Sequence, residues 1–167
     1  MVFTLSVQMR PTFAPDAQFV IQQPPQSPAH ARVCSAKRNI EEAFAEAEEA
    51  NSDLDADRVV ASAGVTCADV SLAAEQAAAW YAEIVSGAED LLARVQEKNE
   101  RSFQSGQAGI TLDATYYHIF LRNGMDSFSW SIYACEAHTT DTRGDTPRLC
   151  HTIERIRGEL SAMARAK

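Results

Sequence analysis

TYYHIFLRNGMDSFSWSIYACEA, residues 115–137, is the stretch on which the fold turns. Two runs rich in aromatic and β-branched side chains flank Asn123-Gly124, and both of those residues tolerate positive φ, so the segment predicts a β-hairpin. In the second run Phe128, Trp130 and Ile132 face one way and Ser127, Ser129 and Ser131 the other. In the first, Tyr117, Ile119 and Leu121 oppose Tyr116, His118 and Phe120, so both faces are apolar. Such a strand is central, or has one face covered by a partner. Tyr116, Tyr117, Phe120, Phe128, Trp130 and Tyr133 concentrate the chain's aromatics here. Core packing accounts for one face of the hairpin; Tyr116, His118, Phe120 and Tyr133 on the other are surplus to it.

Upstream, five of the six prolines fall before residue 29, and QQPPQSPAH suits neither helix nor central strand. Short strands are expected at 2–8 and 17–22, with Phe3, Leu5 and Val7 sharing a face, followed by an extended linker over 23–35. Residues 1–35 therefore read as an N-terminal strand and proline-rich arm, and an arm that orders only against a partner fits equally well. Residues 36–167 read as a single α+β domain.

Between arm and hairpin the period becomes helical. Ile40, Phe44, Ala47 and Leu54 recur over 36–60, opposite Glu41, Glu42, Glu46, Glu48 and Glu49. Gly64 ends whatever follows. Over 69–102, Val70, Ala74, Ala77, Tyr81, Ile84, Ala88, Leu91 and Val95 alternate spacings of four and three, with Asp69 or Ser71 as caps. Small residues on that seam permit close helix approach. After the hairpin, Thr146 and Pro147 open a last helix over 147–165, whose stripe is Leu149, Ile153, Ile156, Leu160 and Met163. The expected architecture is α+β: a small antiparallel sheet, built from the hairpin and an N-terminal strand, covered by three amphipathic helices.

Charge is segregated along the 167 residues. Residues 1–38 are net +3, residues 39–100 hold fifteen acids and come to −12, and residues 143–167 are +3, within an overall −8. Packing the basic last helix beside the acidic middle would neutralise both blocks. Alanine, 28 residues of the total, leans the composition towards helix. A pI near 4.9 disfavours direct nucleic-acid binding. No apolar run of membrane-spanning length occurs, and the N-terminus lacks a secretory pattern, so a cytoplasmic protein is expected. Cys34, Cys67, Cys135 and Cys150 are widely spaced and expected as reduced thiols.

No GxSxG, GxGxxG or GxxxxGK[ST] motif is present, so enzymatic activity has no support, and no cofactor is expected. Asp53, Asp55 and Asp57 resemble half a calcium loop but lack its glycine and bidentate glutamate. Cys135, His138, Cys150 and His151 are weak zinc candidates, and Cys150 a weaker nucleophile candidate at a helix N-terminus. The leading expectation is a non-enzymatic acidic interaction module: an assembly subunit, chaperone-like binder or inhibitor. Its partner is another protein or a second copy of the chain. The candidate contact residues are Tyr116, His118, Phe120, Trp130, Tyr133, Glu41, Glu42, Glu48 and Glu49. The alternatives are a small-molecule or metal-binding domain using the aromatic hairpin, with catalysis left open, and an inhibitor that mimics nucleic-acid charge.

Overall fold

The computed structural model describes residues 2–10, 15–49, 56–105, 115–135 and 148–166. Its strands are β1 (Phe3–Arg10), β2 (Ala17–Gln23), β3 (Ala29–Ser35), β4 (Thr66–Leu72), β5 (Thr115–Asn123) and β6 (Asp126–Cys135). The helices are α1 (Ile40–Glu49), α2 (Ala56–Ser62), α3 (Ala74–Ser105) and α4 (Arg148–Arg165). All six strands join one antiparallel sheet in the order β4-β3-β2-β1-β5-β6. The chain is thus α+β, as its patterning implies.

Strict alternation builds the sheet. Phe3, Leu5, Val7 and Met9 of β1, Phe19 and Ile21 of β2, and Tyr117, Ile119 and Leu121 of β5 are all buried on one face. Against that face lie α3, through Ala77, Trp80, Ile84, Ala88 and Leu91, and α4, through Leu149, Ile153, Ile156 and Leu160. Each fully buried aliphatic chain contributes about 1.5–3 kcal/mol relative to exposure. Helix α4 keeps the predicted stripe except at Met163, which is 39% exposed. The two helices approach closely at Gly87: a Cβ there would stand 3.2 Å from Leu149 Cα and Cβ.

Other boundaries differ from the sequence reading, each for a local reason. The segment 23–35 is no linker: Pro24 to Pro28 form a hairpin loop, and β3 begins at Ala29. Proline suits that loop because it has no N–H to give a ladder, and Gln26 adopts φ 58°. Gln23 Nε2 donates across the loop to the carbonyls of Pro24 and Ser27, at 3.3 and 3.1 Å.

The seam over 69–102 begins later than its spacing suggests. Ala68, Val70 and Leu72 also fit a period of two, and Thr66–Leu72 pairs with β3 as an edge strand. Asp69 is therefore no helix cap; it accepts both arms of Arg32, at 2.9 and 3.0 Å.

The expected helix over 36–60 is two helices, and both stand apart from the sheet's covering layer. Ala43, Val59 and Ala63 form a small cluster of their own with Ile40, Ala47 and Val65 around it, and Phe44 is 46% exposed. Gly64, at φ 64°, ends α2. Its N–H donates to the Ala61 carbonyl, and that of Val65 to the Val60 carbonyl, the double closure of a Schellman motif.

At the hairpin tip the turn is shifted by one residue. Asn123 pairs with Asp126, so the two loop residues are Gly124 and Met125. Gly124 has φ 62° and Met125 does not share the positive sign, the pattern of a type II′ turn.

The expectation of free thiols is overturned. Cys34 and Cys67 are directly opposed on β3 and β4, with Cα atoms 4.1 Å apart, and are joined in a disulfide. Adjacent strands place opposed Cβ atoms within bridging reach, which the 33-residue spacing in sequence conceals. Cys150 is also disulfide-bonded, and no described cysteine is free.

Candidate functional site

The helices cover one face of the sheet, and the described side chains of the other are all partly or fully exposed. Most of this open face is polar. Gln18 Nε2 donates to Ser6 Oγ at 3.1 Å, and His30 Nε2 lies 2.8 Å from Gln22 Oε1. Arg32 and Asp69 form their ion pair beside the Cys34–Cys67 bridge.

The exception is a strip along β5. Tyr116, His118 and Phe120 project from this face, each half-buried, opposite Arg10, Gln8 and Ser6 of β1. Ser131 of β6 ties the strip together: its Oγ lies 2.8 Å from Tyr116 Oη and 3.1 Å from His118 Nδ1. One hydroxyl has a donor and two acceptor positions, so it serves both contacts. A serine–histidine contact is also the first element of an activated nucleophile. Here it lies on an open sheet surface, beside a small pocket whose lining includes Gln8 and Arg10, the residues opposite His118 and Tyr116.

That pocket, among Gln8, Met9, Arg10, Asp16, Cys34 and Ile40, measures about 100 Å³. Small-molecule sites generally occupy roughly 300–1,000 Å³. Its buried Asp16 serves the fold, since Oδ2 accepts the Ile40 N–H at 2.7 Å, while Asn39 Oδ1 accepts that of Glu41 at 2.7 Å. Both satisfy orphan donors at the start of α1. No local pattern announces Asp16, because its target lies 24 residues downstream.

Sequence pattern does not single out Arg10, yet this residue joins the site's two parts. It stands opposite Tyr116 on the sheet, and its Nη1 lies 3.3 Å from Glu41 Oε1 on α1. The aromatic strip and the acidic helix are therefore neighbours. Glu41, Glu42, Glu48 and Glu49 are all exposed on α1, and Glu46 pairs with Arg38.

The remaining predicted site residues separate. Trp130 is opposite Ile119, on the helix-covered side, where it packs partly buried against the core. It cannot share a surface with Tyr116, because alternation along a strand sends the two to opposite faces. Tyr133 and Cys135 belong to β6, with side chains outside the described residues, as is the whole of His138. Asp53 and Asp55 also lie outside them. The zinc and nucleophile candidacies of Cys150 are overturned, since both need a thiolate and its sulfur is in a disulfide. His151 is exposed on α4 while its neighbour Cys150 is buried. The described residues include no group of three or more metal-ligating side chains, and no described helix is long and apolar enough to cross a membrane.

Comparison with protein-family models, with curated proteins and with solved structures finds no match.

Proposed function

We propose that the chain is a non-enzymatic protein-interaction module that docks another protein across the open sheet face and the acidic flank of α1. The observation that carries this reading is the position of Arg10, opposite Tyr116 and paired with Glu41. It makes one surface of an aromatic strip and an acidic helix. Tyrosine and other aromatic side chains supply anchor area at interfaces, and like-signed rim charges select a partner and steer its approach. The matching partner presents apolar side chains flanked by lysine or arginine.

Site-specific photo-crosslinking in the native host tests this directly. A photoreactive phenylalanine analogue at Phe120 should give one discrete adduct, and the same analogue at Glu75, on the helical side, should not. Replacing Glu41, Glu42, Glu48 and Glu49 with lysine should remove that adduct while leaving helix content unchanged. Adducts no stronger at Phe120 than at Glu75 would defeat the proposal.

A further inference from the structure

We infer that β6 is a self-association edge. Two copies of the chain pair antiparallel about Ser129, joining two six-stranded sheets into one. The edge adjoins the strip on β5 through Ser131, and the inference stands without the docking function proposed above.

An edge strand displays a row of unpaired N–H and C=O groups, which proteins ordinarily protect by short length, charge, proline, a bulge or a covering element. Among the described strands β6 is outermost; it is ten residues long, and from Ser127 to Cys135 it has neither charge nor proline. The one register irregularity lies beyond Ile132, so the stretch from Asp126 to Ile132 pairs regularly with β5. The opposite edge differs. β4 is seven residues long, carries Asp69 in an ion pair, and is bridged to β3 through Cys67.

The alternation of β6 is self-complementary. Antiparallel pairing about Ser129 sets Ser127 against Ser131 of the second copy on one face, and Phe128 against Trp130 on the other. Both faces keep their character, because the sum of paired positions is even. Asp126, the strand's only charge, then stands opposite position 132 and far from its own mate, whereas parallel pairing would set the two aspartates side by side.

Phe128 supplies the second observation. It is opposite Leu121, hence on the helical side, yet 61% exposed, because the helical layer does not reach it. A second copy covers it with an aromatic cross-strand neighbour, twice per dimer. The contact is isologous and closes on itself, unlike β6 against a neighbour's β4, which would propagate as a filament.

Sedimentation of the full chain, together with cysteine cross-linking, tests this. The expected species is a dimer of the 18.3 kDa chain. Phe128→Lys, at an exposed position that leaves folding intact by circular dichroism, should weaken association at least about tenfold. Ser129→Cys should oxidise to a covalent dimer, since position 129 faces its own copy. Ser127→Cys, facing position 131, should not. A monomer throughout the micromolar range, a dimer indifferent to Phe128→Lys, or equal cross-linking at 127 and 129 would each overturn the inference.

Discussion

Single residues set the tightest limits in this molecule. Gly87 lets α3 and α4 meet, and Gly87→Ala forces a methyl group against the Leu149 backbone at 3.2 Å. Gly87→Ala should cost about 1–3 kcal/mol in urea unfolding despite alanine's better helix propensity, and leucine there should cost more. Tyr117 is a second case. Its buried hydroxyl donates to Glu154 Oε1 at 2.8 Å, and burial first, then the Glu154 charge, pushes its pKa well above the ordinary value near 10. The folded state therefore holds this proton more tightly than the unfolded chain. Stability from this group is complete below pH 10 and falls as pH rises beyond it, by up to about 1.4 kcal/mol per unit. Tyr117→Phe should flatten that alkaline decline in a pH series of denaturation midpoints. Sequence pattern does not reach such details. The small-residue seam announces close helix approach, but which glycine and which leucine meet depends on how α3 crosses α4.

Secondary-structure elements are legible in the sequence wherever one period dominates. The β5–β6 hairpin, the inner face of β1, the stripe of α4 and the stop at Gly64 all follow from local pattern and turn chemistry. Legibility ends where two periods coincide, as at Val70, which fits both a helical seam and an alternating strand. It ends too where a pairing joins distant residues, and the Cys34–Cys67 bridge is the clearest instance. Under the chain-entropy account, closing its loop stabilises the fold by about 3–4 kcal/mol. Cys34→Ser with Cys67→Ser should lower the thermal midpoint clearly, and wild-type protein treated with reductant should shift the same way. Helix α1 carries Glu48 and Glu49 at its C-terminal end with no basic residue in its last turn, against the sense of its dipole. Lysine at both positions should add roughly 0.3–1 kcal/mol each. If the same variant loses the Phe120 photo-adduct, those acids are retained for binding at the expense of stability.

At the scale of the whole molecule, part of the charge segregation is internal. Arg10 and Arg38 from the basic N-terminal block meet Glu41 and Glu46, and Arg155 of α4 bridges Glu83 of α3 and Glu159. These exposed pairs contribute little each, so 1 M salt should change stability only slightly, while weakening any basic partner strongly. Disulfides persist in oxidising surroundings, so the bonded cysteines lend no support to the cytoplasmic expectation. Sheet order adds one more consequence. Strand β1 is central, and its second neighbour is β5, with Phe3 opposite Asn123. During synthesis the first four strands leave the ribosome early, and one side of β1 stays bare until the hairpin emerges. The nascent chain is thus a waiting half-sheet, completed late when β5 and β6 add to the bare edge of β1. A chain stalled just before Thr115 should recruit chaperones that a chain released after α4 does not, and two fragments divided between α3 and β5 should reassemble when mixed.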